Sequence, residues 1–273
     1  MVTFVGLDLA WTPHRETGVC VLEEAEGVVN LRELHCDIKS PEEFATLCES
    51  FGEDVVVAVD APLVVKPERR AEAELAKVYG AKHAGAYSAN LPFLCKMNGL
   101  AGPHLAKELC ERRFELDPAK LSSKARGRFA LEVFPHPAHV EMFGLAMALK
   151  YKKGRVACRK TALSQYQVHL AELLSRELPL VLKAPLVREM LHAEALVAKG
   201  KALKNLEDRL DAVTCAYIAY HCWRHGQARF HVFGCSDHGC IVVPQRRSAA
   251  ARSVVVQGAC NDLPTCAPGR SCP

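Results

Sequence analysis

This chain of 273 residues lacks several things that would place it in a familiar class. No apolar run is long enough to span a bilayer, so no membrane partner is expected. The first residues lead straight into a strand pattern, with neither a charged n-region nor a cleavage site. On that pattern no secretory signal is expected, and the expected compartment is cytoplasmic. There is no Gly-x-x-x-x-Gly-Lys, no Gly-x-Gly-x-x-Gly and no Gly-x-Ser-x-Gly, which counts against phosphate-loop, dinucleotide and nucleophile-elbow chemistry. The 13 cysteines include no paired Cys-x-x-Cys. They mostly lie singly in apolar segments, as at Cys20, Cys110, Cys158, Cys215 and Cys222, and read as reduced thiols rather than a disulfide framework. Strong charge is also missing: a formal +4 permits a polyanionic partner without requiring one.

What is present is a globular composition, 49% hydrophobic and 24% charged, in a chain long enough for one large α/β domain or a domain with an insertion. Apolar runs at 2–8, 17–23 and 28–34 sit close together and predict an antiparallel meander. Ser40-Pro41-Glu42-Glu43 is a helix start, with a Ser cap, Pro at the first position and the Glu of a capping box. Phe44, Leu47, Cys48 and Phe51 form its apolar stripe, and Gly52 stops it. A fourth strand, Val55 to Val59, follows; the helical crossover lets it lie parallel to the first. Residues 66–128 carry few strand signals and read as a helical insertion, with helices at 66–79 and 104–114 and loop from 80 to 103. Residues 129–134 form the next strand. Helices are expected at 137–148, 160–177, 186–198 and 203–224, with an edge strand at 229–233. One domain is assigned to 1–243. From 244 to 273 the composition is that of a disordered tail, with 253–257 its only strand-like piece.

The candidate chemistry lies in acids at strand ends. Asp8 closes the first strand and Asp60 the fourth, and in α/β proteins ligands bind at that mouth of the sheet. One such Asp is explained by turn formation. Two brought together repel unless one is protonated or a cation lies between them. A third site is Glu207-Asp208-Arg209-Leu210-Asp211-Ala212, followed by a helix apolar nearly all round. Asp208 and Asp211 are three apart and share a face. Helix-start chemistry accounts for one of them, but not readily for both. Glu132, which interrupts an apolar strand, is a fourth candidate, the alternative being a solvated face. Carboxylates with water and phosphate suit Mg²⁺ or Mn²⁺, and two such ions can carry phosphodiester hydrolysis.

Asp8-Leu9-Ala10, Val59-Asp60-Ala61-Pro62-Leu63, Leu131-Glu132-Val133-Phe134-Pro135 and the Glu207–Ala212 segment, taken in order, resemble domain of unknown function family 429, predicted ribonuclease-H-like nucleases, over about residues 1–233. The resemblance implies a five-stranded mixed sheet, its first three strands antiparallel, flanked by helices. It also implies acids from the first strand, the fourth strand and the final helix binding two Mg²⁺, which fall on Asp8, Asp60, Asp208 and Asp211. Asp60 stands where the superfamily more often has Glu.

For a nucleic-acid partner, phosphate-binding groups are expected among Arg15, Lys66, Arg69, Arg70, Lys152, Lys153 and Arg155, the alternative being solvated surface. Cys235, His238 and Cys240 are zinc-ligand types without a full ligand set. His136 and His139 read as helix-start or packing residues. The expectation is a Mg²⁺- or Mn²⁺-dependent nuclease. The alternatives are a phosphotransferase or ATPase of the actin-like group, and a non-catalytic binding module.

Overall fold

The computed structural model describes residues 1–12, 14–193 and 195–246. Its strands are β1 (Val2–Asp8), β2 (Thr17–Ala25), β3 (Val28–Asp37), β4 (Val55–Val59), β5 (Arg128–Glu132), β6 (Phe230–Cys235) and β7 (Gly239–Pro244). Its helices are α1 (Pro41–Ser50), α2 (Ala71–Tyr79), α3 (Leu91–Lys96), α4 (Ala101–Glu111), α5 (Pro135–Phe143), α6 (Val156–Glu177), α7 (Pro179–Lys183), α8 (Pro185–His192) and α9 (Gly200–His225). The main sheet has five strands in the order β3-β2-β1-β4-β5. β2 runs antiparallel to both β1 and β3, while β1, β4 and β5 are parallel to one another. This mixed sheet flanked by helices is consistent with the ribonuclease-H-like fold.

The alternation of each strand divides the core in two. Phe4, Cys20, Leu22, Val56 and Ala58 face one cluster, with Tyr166 and Leu170 of α6 and much of α9. Val5, Leu7, Val19, Val21, Val57 and Val59 face the other, with Phe44 and Cys48 of α1 and Leu105 and Leu109 of α4. Burial on both faces is why the central strands are apolar throughout. α1 begins as its sequence requires: the Ser40 hydroxyl accepts from the Glu43 N–H at 3.2 Å, and the Glu43 carboxylate accepts from the Ser40 N–H at 2.7 Å.

Two glycines bring α9 onto the sheet. A β-carbon at Gly6 would run into the Ala212 carbonyl and the Ala216 nitrogen; one at Gly18 would run into the Asp208 carbonyl. No other residue permits that approach.

Several boundaries differ from those expected. The loop at 80–103 contains α3, capped by Asn90, whose side chain accepts from the Phe93 N–H. The helix expected at 137–148 stops at Phe143, because Gly144 adopts a left-handed φ of 70°. The one expected at 186–198 is α8, shorter and preceded by α7; Pro179 and Pro185 start the two. β6 is not an edge of the main sheet. It pairs with β7, which runs one residue into the stretch read as tail, in a separate hairpin packed on α2. Residues 253–257 and Cys260, Cys266 and Cys272 lie outside the described residues. The ten described cysteines are free. Among the described residues no helix is long and apolar enough to cross a membrane.

Candidate metal centre

Asp8 ends β1, and Asp60 follows β4 in the next register position, where its N–H donates to the Leu7 carbonyl at 2.8 Å. That bond prolongs the parallel ladder by one step and sets the two carboxylates side by side. Asp8 shares a strand face with Gly6, two residues earlier, which is the face α9 covers. α9 therefore delivers Asp211, fully buried, to the same point. Ligand oxygens of Asp8, Asp60 and Asp211 all lie within 4.8 Å of one another.

Lys152 stands among them. Its Nζ is 2.6 Å from Asp211 Oδ2, 3.5 Å from Asp8 Oδ1 and 3.6 Å from Asp60 Oδ2, and its side chain is 27% exposed. Expected at a phosphate, this ammonium sits where a metal cation would balance the three acids. Asp211 is further fixed from behind. Tyr151 and Tyr166, both buried, donate to its Oδ1 at 2.8 and 3.1 Å. Burial alone would raise the Asp211 carboxyl, but Lys152, His139 and Tyr151 outweigh it and hold it below the usual range. Asp60 goes the other way: burial, assisted by Asp8 and Asp211 and opposed by Lys152, pushes it up to about 8.

Asp208 lies one turn earlier, beside Asp8. Lys204 donates to its Oδ1, while its Oδ2 is buried and accepts no hydrogen bond among the described residues. Burial and the neighbouring Asp8 push Asp208 up to about 8 against Lys204. The metal-ligand grouping of the described residues comprises Asp8, Asp60 and Asp211, with Asp208 at its margin.

Glu132 and Arg69 are placed together, beside the cluster. Arg69, at 2% side-chain exposure, is not open to a phosphate. Its guanidinium grips both oxygens of Glu132, donates to the Val64 carbonyl at 2.6 Å and pairs with Glu72 at 2.7 Å. Glu132 also accepts from the Leu63 N–H at 2.9 Å. With its oxygens committed, Glu132 locks the segment after β4 to the end of β5 and gives no ligand to the cluster. An acid inside an apolar strand needs a partner, and here the partner is Arg69.

The remaining basic candidates are surface residues: Arg15, Lys66, Arg70, Lys153 and Arg155 are exposed. Cys235 and His238 meet at 3.6 Å on the β6–β7 turn, and with Cys240 form no metal-ligand group. His136 and His139 pack in an aromatic ladder with Tyr151 and Tyr166. Sequence reasoning missed Tyr151 and Tyr166 as supports of Asp211. The one signal was a tyrosine inside the basic run 150–155, where an aromatic has no reason to sit if the run is all solvated.

Residues 6–233 match the family model described as Protein of unknown function (DUF429). No curated protein matches the chain.

Proposed function

This chain belongs to the DUF429 family, and from that premise we propose that it is a Mg²⁺- or Mn²⁺-dependent nuclease, hydrolysing phosphodiester bonds of nucleic acid. The observation that carries the reading is the convergence of Asp8, Asp60 and Asp211, from three separate elements, within 4.8 Å. The donor set fits the ion: every ligand is a carboxylate oxygen, which hard divalent cations take, and the bare Oδ2 of Asp208 adds capacity beside Asp8. A divalent ion held there would supply an activated water and charge compensation for the leaving oxygen.

The chain's own residues do the rest. Asp8, Asp60 and Asp211 bind. Tyr151 and Tyr166 hold Asp211 by Oδ1 in one orientation, so its Oδ2 meets Lys152 in the cluster. Lys152 is the cation beside the acids in this structure, and a divalent cation held there would have to displace it. Asp208 and Asp8 together offer the margin at which a second ion binds.

The test is Mn²⁺ titration by calorimetry on the wild type and on Asp8→Asn, alongside cleavage assays on single-strand, hybrid and branched substrates. Stoichiometric binding and metal-dependent cleavage, both lost in Asp8→Asn, are expected. Absence of binding up to millimolar Mn²⁺, with nucleic acid also present to complete the site, would overturn the reading.

A further inference from the structure

Two hollows open on either side of the carboxylates. One, of about 460 Å³, has Asp8 and Asp208 in its wall together with Arg15, Lys201 and Lys204. The other, of about 70 Å³, has Asp60 in its wall together with Trp11, Tyr87 and Phe134. Asp8 and Asp60 are adjacent across β1 and β4, so the acids lie where a hollow of mixed charge meets an aromatic one.

The charges in the first hollow are largely spoken for. Lys201 pairs with Glu16 at 2.8 Å, and Lys204 pairs with Asp208. Arg15 is exposed and, among the described residues, has no carboxylate partner. Beside the second hollow, Lys153, also exposed, puts its Nζ 3.9 Å from the centroid of the Tyr87 ring that lines it. Tyr87 itself is 69% exposed. Trp11 is half-buried, its inner side packed against the cluster of Val65, Ala89 and Leu94. A tryptophan anchored by its neighbours and a tyrosine standing in solvent under the Lys153 ammonium are stacking platforms on one side of the acids, and Arg15, among the described residues, is a second free cation on the other.

Resting on the nuclease reading above, we propose that the nucleic acid enters this site as a single strand. Its bases stack on Trp11 and Tyr87, and its phosphates face Lys153 on one side of the acids and Arg15 on the other. The reason is geometric. In a duplex the base faces are covered by one another, and only edges and backbone meet the protein. Rings set in a hollow beside the acids gain nothing from that surface, whereas an unpaired strand offers a face at every base.

The experiment measures anisotropy of a labelled oligothymidylate of about 20 nucleotides, and of a blunt duplex of the same length, with the full chain in EDTA. The single strand is expected to bind roughly tenfold tighter or more. Tyr87→Ala and Trp11→Ala should each weaken it by about tenfold, while Tyr87→Phe and Trp11→Phe keep most of the affinity. Tyr87 is exposed, so its variants report stacking even if Trp11→Ala is poorly folded. Arg15→Ala should lower the salt slope by about one unit. Trp11 emission should be quenched as the strand binds, against a constant background from the buried Trp223. Equal or tighter duplex binding, no binding of either oligomer, or unchanged affinity in Tyr87→Ala would overturn the proposal. The nuclease reading fails separately, on the Mn²⁺ titration.

Discussion

Lys152 carries its charge to the point where three carboxylates converge, and a divalent cation must compete with it for the same oxygens. Lys152→Met keeps the aliphatic stem and removes that competitor. The variant should bind Mn²⁺ about tenfold tighter or more, because each unit charge at contact distance is worth one or more kcal/mol even when well screened. Its metal-free form should melt at a lower temperature, since the acids are then uncompensated. Calorimetry and thermal melts in EDTA read the two effects. Protons compete as well. Burial lifts Asp60 and Asp208 to about 8, so near neutrality each resists giving up its proton. Mn²⁺ affinity should therefore rise with pH, by up to about tenfold per unit for each proton displaced, and level off above about 8. An affinity flat between pH 6.5 and 8 would mean that the acids are already ionised.

At the scale of elements, the site exists because α9 lies directly on β1 and β2. Gly6→Ala would press a methyl group into the α9 backbone at Ala212 and Ala216. The expected loss is roughly 3 kcal/mol in a urea titration, with Mn²⁺ affinity falling too because Asp211 moves away from Asp8. Such a double effect separates a packing role from a chemical one. The Arg69–Glu132 pair is the second fastening, joining the segment after β4 to β5. Arg69→Met should destabilise by about 3–5 kcal/mol at pH 8, where Glu132 is left as a buried unpaired charge. Without Arg69, which holds it down, burial lifts Glu132 above about 7, and the loss should shrink as pH falls and Glu132 takes up a proton. That strands at 2–8 and 55–59 and a final helix existed was legible from their apolar runs. That Glu132 and Arg69 belong to each other was not, since they are separated by 63 residues and share no local pattern.

For the whole molecule, two sets of buried groups pull stability in opposite directions with pH. His136, His139 and His221 are held neutral by burial, lowered to about 4, 3 and 4. Their contribution is complete above the unfolded histidine value near 6.5 and is lost as pH falls through the folded values. Asp60, Asp208 and Glu132 are raised, to about 8, 8 and 7, so the folded state holds protons that the unfolded state has released. Their contribution is complete below about pH 4 and is lost as pH rises through the folded values. Between about 4 and 6.5 the sets oppose each other; between about 6.5 and 8 only the carboxylates titrate. In EDTA, chemical denaturation should show stability falling across that upper window, on the order of 1 kcal/mol per pH unit. Saturating Mn²⁺ should flatten the fall, because a bound cation takes over what the protons supply.

The sequence by itself determined the order of the five main-sheet strands with α1 and the long last helix, the two strand-end aspartates and the acidic pair three apart on that helix. Each of these is local: a run of apolar residues, a turn former after it, a spacing that fixes one helix face. It also determined the start of α1, since a capping box needs only four consecutive residues. Tertiary structure alone decided which acids meet. Asp211 reaches Asp8 and Asp60 because Gly6 and Gly18 let α9 descend onto the sheet, while Asp208, one turn earlier, stays at the margin and Glu132 is claimed by Arg69. It alone decided that Lys152, one of several lysines in a basic run, turns inward. Buried carboxylates need a counter-charge, but nothing in a chain's local pattern says from which distant segment that charge will come.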